Sequence, residues 1–318
     1  MRDRGAAMGC VKASLPHAKT PALVLAPPRS DVAVEVASGK DAAYENFPVG
    51  SWLLPKATRS HVAVFYAFAR AADDIADSAT LSGDEKMRRL EGFEAVLLGQ
   101  ASHKSEPYPV AASMRASLGA CGLSPRHCCD LLSAFRQDAS KTRYRAWQDL
   151  VDYCQRSAAA VGRYLIDLHG GTPADYQHSD PLCIALQVLN HLQDCKDDFL
   201  TIDRVYLPLN WMDAERTSPQ ALDGECVSPA MRRVIDRALV EVDILLINAA
   251  ALPRSLASWR LALESAVTLE VGLALCRKLR THDPLADRVV LTKPEYAGSF
   301  MRGLAGEGWR FRRRQYGR

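Results

Sequence analysis

Helical periodicity runs through this 318-residue chain and restricts the folds that are open to it. Apolar residues recur at spacings of three and four, and no segment shows the alternation typical of a half-buried strand. Clusters of Pro, Gly and Ser interrupt the pattern and mark helix ends. The pattern predicts helices near residues 41–54, 57–79, 83–101, 108–121, 124–138, 146–170, 179–200, 228–250 and 257–281. The fold class that follows is all-α.

The helices are predicted to form one domain between two terminal segments. No repeat of fixed period and no interior linker is visible, and a hydrophobic content of 48% allows a sizeable core. We predict a flexible leader over 1–38, a single domain over 39–290 and a basic C-terminal tail over 291–318. The apolar block ALVLA in the leader is short for a signal-peptide core, and no apolar run reaches the roughly 18 residues of a membrane span.

The basic character of the chain is concentrated at its C-terminus. The net charge is +3, and residues 302–318 contain six arginines against the single acidic residue Glu307. Arginines and aromatic residues alternate in WRFRRRQY, which suits the surface of an anionic membrane. A solvated, disordered tail fits the same composition. Binding to nucleic acid is disfavoured because no basic helix or fold signature accompanies the tail.

The nine cysteines favour a reducing compartment. They are scattered, without a CxxC pair or a zinc-ligand spacing, and their simplest role is as small reduced core residues. We predict a cytoplasmic protein, either free or peripheral at the inner face of the membrane.

A first acidic cluster ends the segment YAFARAADDIAD at residues 66–77. Asp73 and Asp77 share one helix face, and like charges four residues apart destabilise a helix unless a cation or a basic group compensates them. Arg70 lies one turn before Asp73 and Asp74 and could pair with either. A solvated helix end explains this cluster as well as a ligand site does.

A second cluster lies in PLCIALQVLNHLQDCKDDFL at residues 181–200. Apolar residues cover much of this helix, so its polar stripe needs water or a ligand as a partner. Two such helices facing each other would offer oxygen ligands from both sides of a cavity, which suits Mg²⁺ bound together with a substrate phosphate. A di-iron bundle would need Glu and ExxH motifs, which neither cluster contains. The residues of the stripe are Gln187, Asn190, Asp194 and Asp198, with Asp197 beside them.

Magnesium between carboxylate-bearing helices can neutralise a departing diphosphate. The carbocation left behind needs a dry apolar cavity with aromatic walls. The segment YCQRSAAAVG could form one wall, since Ser157, Ala158, Val161 and Gly162 leave room and Tyr153 presents a ring or a hydroxyl. Close helix packing through Ala and Gly explains the same small residues.

Several of these segments resemble motifs of the squalene and phytoene synthase family. YAFARAADDIAD is similar to its first aspartate-rich motif and NHLQDCKDD to its second, and DRVYLP to the segment that follows. YCQRSAAAVG resembles the YC…VG helix of the family, and FPVGSWLLP its N-terminal active-site helix. The matches occur in the family's order from about residue 44 to 208, and weaker similarity continues through KLRTHDPLADRVVLTK. FRQDASKTRY, NFPVGS and NHLQDC look most like the bacterial hydroxysqualene synthase branch of hopanoid and squalene biosynthesis.

The resemblance implies a single-domain class I isoprenoid (trans-prenyl or terpene) synthase bundle with a central apolar cavity. It also implies the Mg²⁺-dependent conversion of presqualene diphosphate and water to hydroxysqualene and diphosphate. The implied partners are the substrate, a presqualene diphosphate synthase, a hydroxysqualene oxidoreductase and the membrane. The alternative is a head-to-head squalene or phytoene synthase acting on two prenyl diphosphates. A non-catalytic scaffold would leave both polar stripes without a function, and an HD-type phosphohydrolase at His282-Asp283 lacks further ligands.

The resemblance also assigns roles to residues of this chain. The implied Mg²⁺–diphosphate frame is Asp73, Asp74, Asp77, Asn190, Asp194, Asp197 and Asp198. The implied catalytic residues are Tyr153, near the reacting carbons, and Arg70 and Tyr206, on the diphosphate side. The implied substrate and diphosphate contacts are Asn46, Phe47, Ser51, Arg70, Gln187, Gln193 and Arg204. Lys141, Arg143 and Tyr144 belong to a further motif segment.

Two positions depart from the family pattern. The family usually has Ser immediately before the Phe of its N-terminal motif, where this chain has Asn46 before Phe47. It usually has Arg immediately before the first Asp of the second cluster, where this chain has Gln193. Fewer ionic contacts to phosphate favour a site for one preformed diphosphate over a site for two, although an amide can still donate to phosphate.

Overall fold

The computed structural model describes residues 54–100 and 108–316, with side chains up to residue 306. The predicted leader, the predicted helix that starts at residue 41, and the predicted site residues Asn46, Phe47 and Ser51 lie outside the described residues. The helices are α1 Lys56–Asp77, α2 Gly83–Leu98, α3 Pro109–Cys121, α4 Arg126–Asp138, α5 Trp147–Ser157, α6 Ala159–Leu168, α7 Tyr176–Gln193, α8 Cys195–Ile202, α9 Leu209–Ala214, α10 Pro229–Ala249, α11 Leu252–Ser255, α12 Trp259–Thr281 and α13 Lys293–Tyr316.

The predicted all-α fold is confirmed. The described ranges contain no β-strand, and Arg143 and Val205 form an isolated parallel bridge between two loops. Helix starts follow local sequence signals, because a serine before the first turn can accept a hydrogen bond from an otherwise unpaired backbone N–H. Ser228 accepts from the N–H of Met231 in this way at the start of α10.

Two clusters of buried apolar side chains hold the bundle together. One lies among α1 to α4, where Phe68 and Phe93 have no exposed surface. The other extends from α5 to α12 and includes Leu189, Leu239 and Leu279. Each fully buried side chain of this size contributes about 1.5–3 kcal/mol relative to exposure, so these contacts fix the relative positions of the helices.

Two of the predicted helices are each interrupted by one residue. The predicted helix 146–170 is α5 and α6, separated at Ala158, whose φ is −108°. The predicted helix 179–200 is α7 and α8, separated at Asp194 with φ −103° and ψ 8°. The apolar spacing continues across each interruption, so periodicity alone does not reveal it.

The C-terminal segment forms a long helix that packs against α12. Lys278 pairs with Glu295 at 2.6 Å and Glu270 with Arg302 at 3.0 Å, so α13 runs antiparallel to α12. At Gly303 the two backbones come so close that an added Cβ would lie 2.6 Å from a backbone atom of α12. The segment predicted as a basic tail is therefore helical over most of its length.

Candidate functional site

A cavity of about 410 Å³ lies among α1, α4, α5, α6, α7 and α12. Along α1 its wall changes from Val62 and Phe65 to Asp73 and Asp77. Along α7 the wall changes in the same order, from Leu182 at the N-terminal end to carboxylate and amide groups at the C-terminal end. The cavity therefore has an apolar end and a polar end.

The first acidic cluster supplies one side of the polar end. Asp73 and Asp77 line the cavity, whereas Asp74 does not. Arg70 Nη2 lies 2.9 Å from Asp74 Oδ1, and Arg70 Nη1 lies 3.4 Å from Asp73 Oδ2. Arg70 thus pairs with both aspartates that the sequence offered as partners, and its guanidinium also lines the cavity.

The second cluster supplies the opposite side. Asp197 is exposed and outside the lining, so the structure does not bring it to the other carboxylates. Gln193 is also outside the lining: it is buried and donates a hydrogen bond to the carbonyl of Val289. Their predicted contacts with metal and phosphate stay predictions. The stripe residues that line the cavity are Gln187, Asn190, Asp194 and Asp198.

Arg288 is a cavity residue that the sequence reasoning missed. Its Nε lies 2.5 Å from Asp194 Oδ1 and its Nη2 3.2 Å from Asp194 Oδ2, a two-point contact with the carboxylate. The residue follows α12, about ninety positions beyond the second cluster, inside the segment of weaker family similarity. The family similarity of that segment was the signal that could have identified Arg288, because no helical spacing connects it to Asp194.

Arg204 connects α1 and α4 at the polar end. Its Nη1 donates to Asp77 Oδ1 at 2.9 Å and its Nη2 to the carbonyl of Asp138 at 3.0 Å. The bridge between Arg143 and Val205 fixes this stretch of backbone, and Arg143 also pairs with Asp203. Burial opposes the charge of Arg204, but the neighbouring Tyr206, Asp138 and Asp77 raise its pKa, so it remains a cation.

Asp138 is a second functional candidate that the sequence reasoning missed. It is the last residue of α4, and Tyr153 donates its hydroxyl proton to Asp138 Oδ2 at 2.8 Å. Burial raises the pKa of Asp138 to about 7, against the opposing effects of Arg204 and Tyr153. Asp138 continues the buried stripe of Leu131 and Phe135 on this helix, and a carboxylate at such a position was the signal that could have identified it.

A layer of aromatic rings lines the cavity next to the polar end. His191 stacks on Tyr206 with ring centroids 3.3 Å apart, and Tyr153 lies beside both rings. Burial, with a further contribution from Arg204, lowers the pKa of His191 to about 3. The imidazole is therefore neutral near pH 7 and presents an uncharged face beside the cavity. Burial also raises the pKa of both tyrosines, so their hydroxyls stay protonated.

Carboxyl groups crowd the polar end of the cavity. Burial and then Asp77 raise the pKa of Asp73 to about 8, while Arg70 opposes the shift. Crowded carboxylate oxygens of this kind fit a divalent hard cation. Within the described ranges, no three His, Cys, Asp or Glu side chains are close enough to hold a metal by themselves. A cation here would complete its coordination with water and phosphate oxygens, as Mg²⁺ usually does.

The sequence profile of squalene/phytoene synthases matches residues 41–295. This match covers most of the chain and includes both carboxylate-bearing segments. The chain belongs to the squalene/phytoene synthase family.

Several relatives within this family are similar over most of their length. Identity is 40% over 275 residues with the hydroxysqualene synthase of Rhodopseudomonas palustris, covering 86% of this chain and 93% of the relative. It is 37% over 276 residues with that of Zymomonas mobilis, covering 86% and 92%. The phytoene synthase of Pseudescherichia vulneris is 28% identical and covers 72% and 77%. These values confirm the predicted family, and they show that hydroxysqualene synthases are among the family members similar to this chain.

Solved structures of the family share the helical architecture. The squalene synthase HpnC from Alicyclobacillus acidocaldarius superposes with a TM-score of 0.65 at 27% identity, covering 75% of this chain and 89% of that one. A dehydrosqualene synthase in complex with ligand superposes with a TM-score of 0.68 at 18% identity, covering 82% and 91%. The predicted isoprenoid synthase bundle is thereby confirmed.

Proposed function

We propose that the protein converts presqualene diphosphate and water to hydroxysqualene and diphosphate. The observation that carries this proposal is the pairing of carboxylates from α1 and α7–α8 across the polar end of one apolar cavity. The identity of 37–40% with proteins named hydroxysqualene synthase supports this member of the family over the others.

The donor set at the polar end fits Mg²⁺. When bound, the ion would lower the charge of the diphosphate leaving group, which makes breakage of the carbon–oxygen bond easier. Asn190 contributes a neutral amide oxygen among the carboxylates, which limits the net negative charge that a diphosphate must approach. The proposed ligands are Asp73, Asp77, Asn190, Asp194 and Asp198.

Three arginines of the polar end would orient the diphosphate. Arg70, Arg204 and Arg288 line the cavity next to the proposed ligands and donate from different sides. Guanidinium groups bind phosphate oxygens in pairs, so they fix the direction of the leaving group as well as its charge. The hydrocarbon chains of the substrate then lie toward the apolar end.

The aromatic layer would protect the cation that forms. Breakage of the carbon–oxygen bond leaves a cyclopropylcarbinyl cation, and ring opening converts it to an allylic cation. The faces of Tyr153, His191 and Tyr206 stabilise positive charge without reacting with it, and the buried wall excludes bulk water. One water molecule adds to the cation, and its proton passes to the released diphosphate.

We also propose that the apolar end contacts an anionic membrane. Ile247 at the end of α10 and Trp259 at the start of α12 are 71% and 53% exposed. The antiparallel register carries the arginine-rich last turns of α13 toward the same end of α12. Within the described ranges, no helix has the length and apolar character needed to cross a bilayer. The proposed contact is peripheral, and hand-over to a presqualene diphosphate synthase or a hydroxysqualene oxidoreductase stays a prediction.

Product analysis tests the proposed reaction. Purified protein with Mg²⁺ and without NADPH is given presqualene diphosphate in one reaction and farnesyl diphosphate in another. We expect hydroxysqualene from the first only. Presqualene diphosphate, or a head-to-head product of simple prenyl diphosphates, in the second reaction would show the alternative squalene or phytoene synthase activity.

Matched carboxylate variants test the site. Asp73→Asn and Asp194→Asn should each reduce diphosphate release by about 10²–10³-fold, the loss typical of removing a group that stabilises a leaving anion. Asp213→Asn, on the exposed surface of α9, serves as the control. Equal activity in all three variants would leave the carboxylates without the proposed role.

A further inference from the structure

One buried hydroxyl in the cavity wall has no protein partner. Ser157 is the last residue of α5, only 8% of its surface is exposed, and it lines the cavity. Among the described residues, its Oγ has no hydrogen-bond partner. A serine near a helix end commonly bonds back to a carbonyl one turn earlier. Ser157 does not make that bond, so its hydroxyl remains available to a molecule in the cavity.

The surroundings of Ser157 are apolar. Ala158, Val161 and Leu165 continue the cavity wall along α6. Tyr153 lies one turn before Ser157 on the same face of α5, beside the aromatic rings. The hydroxyl thus lies in the cavity wall between Tyr153 and the apolar residues of α6. A buried polar group of this kind is normally satisfied by an ordered water.

We propose that Ser157 holds the water molecule that captures the carbocation. This inference rests on the proposed conversion of presqualene diphosphate to hydroxysqualene. Ser157 Oγ accepts a hydrogen bond from the water, which leaves a lone pair of the water oxygen free to face the cation. A carbon–oxygen bond forms, one O–H bond breaks, and the proton passes to the released diphosphate. Ser157 is a positioning residue that decides whether the cation ends as an alcohol.

A second serine of the cavity wall does not have this freedom. Ser265 also lines the cavity and is buried, but its Oγ donates to the carbonyl of Ala262 at 2.9 Å. The two serines therefore differ in whether the protein already satisfies the hydroxyl. They form a matched pair for experiment.

The test compares variants by product identity. Wild type, Ser157→Ala, Ser157→Val, Ser157→Thr and Ser265→Ala are incubated with presqualene diphosphate, Mg²⁺ and ¹⁸O-labelled water. Diphosphate release and the fraction of product carrying ¹⁸O as alcohol are measured separately, and thermal unfolding checks that each variant is folded. Thr and Val have nearly the same shape, so that pair isolates the hydroxyl from the effect of side-chain volume.

We expect the alcohol fraction to fall about five- to tenfold in Ser157→Ala and Ser157→Val, the factor that loss of one hydrogen bond gives, while diphosphate release changes less. Ser157→Thr and Ser265→Ala should keep the alcohol as the main product. An unchanged alcohol fraction in both Ala and Val variants at position 157, or an equal loss in Ser265→Ala, overturns the proposal. If wild type makes no hydroxysqualene at all, the proposed function fails instead, and the two failures are distinct.

Discussion

At the scale of single residues, Asp138 shows how burial controls charge in the cavity wall. Only 3% of its side chain is exposed, and its Oδ1 has no hydrogen-bond partner among the described residues. Tyr153 and the more distant guanidinium of Arg204 do not fully compensate the loss of water. The carboxyl therefore has a pKa of about 7, far above the value of an exposed aspartate.

This pKa predicts a pH dependence of stability. Because the folded-state pKa is above the unfolded value, Asp138 contributes stability fully only below about pH 4, and that contribution is lost as pH rises to about 7. Asp138→Asn keeps an oxygen that can accept the hydrogen bond from Tyr153, but the amide side chain cannot ionise. Between pH 5 and pH 8 the variant should lose less free energy of unfolding than wild type, by at most a few kcal/mol. Urea denaturation of both ligand-free proteins at the two pH values measures the difference, and identical losses would contradict it.

The contact between Arg288 and Asp194 predicts a role for Arg288 in diphosphate binding. Removing a charged donor from a buried phosphate contact typically weakens binding about tenfold or more. Arg288→Gln should therefore raise KM for presqualene diphosphate and weaken inhibition by free diphosphate. Arg277→Gln, on the exposed side of α12, is the control. Steady-state kinetics that show the same KM for both variants would exclude this role.

At the scale of elements, the close contact between α12 and α13 depends on one glycine. A Cβ at Gly303 would lie 2.6 Å from Val267 Cα and 2.8 Å from its backbone nitrogen, whereas a Cβ at Gly306 would meet nothing within 4 Å. Gly303→Ala must therefore move one backbone away from the other. Its effect on stability should be opposite to that of Gly306→Ala on the same helix.

We expect Gly303→Ala to lower the free energy of unfolding by about 1–3 kcal/mol through overpacking. Gly306→Ala should raise it by about 0.5–1 kcal/mol, because alanine loses less conformational freedom in a helix. Chemical denaturation of wild type and the two variants measures these changes in the free energy of unfolding. Equal effects of the two substitutions would show that α13 does not pack on α12 in solution.

Sequence periodicity predicted most of the helices but not their interruptions. The apolar faces of α1, α4, α7, α10 and α12 are long enough to be recognised from spacing. The breaks at Ala158 and Asp194 each change one residue and leave the spacing of apolar residues intact. The helix α13 was not predicted, because its buried positions include Ser299 and Gly303, which add nothing to an apolar periodicity.

The candidate site was predictable where one helix carries several polar residues at helical spacing. That rule identified the carboxylates that now line both sides of the polar end. It could not identify Asp138 or Arg288, since each reaches the cavity through tertiary packing. His191 has the spacing of the stripe, four residues after Gln187, and was not included. The rule also included Asp74 and Asp197, which lie outside the lining because neighbouring residues on a helix point in different directions.

At the scale of the whole molecule, the two ends of the cavity predict how the protein meets a membrane. The protein should bind vesicles that contain phosphatidylglycerol and bind poorly to vesicles of phosphatidylcholine alone. Removing residues 307–318 eliminates five arginines and should reduce binding at least about tenfold, given roughly 1 kcal/mol for each basic residue near an anionic surface.

Trp259→Ala should also weaken vesicle binding, because an exposed tryptophan anchors at the interface. Co-sedimentation at low and high salt measures both effects, and salt should weaken the contribution of the arginines more than that of the tryptophan. Trp211→Phe, at a tryptophan that is 5% exposed, controls for general effects of losing an indole. Binding that persists in the truncated chain and in Trp259→Ala would place the membrane contact elsewhere.

The path of α12 along the cavity has a consequence for product length. The helix lines the cavity from Leu261 to Leu275, a span of about 21 Å at 1.5 Å per residue. In the proposed site the arginines would hold the diphosphate at one end, so each carbon of the prenyl chains would lie at a fixed height along this helix. Successive residues of α12 would therefore correspond to successive positions along the prenyl chain. Thr268 lies midway between Leu261 and Leu275, so a bulky side chain there would halve the length of cavity open to a prenyl chain. The enzyme would then select prenyl chains by length without any group that recognises their ends.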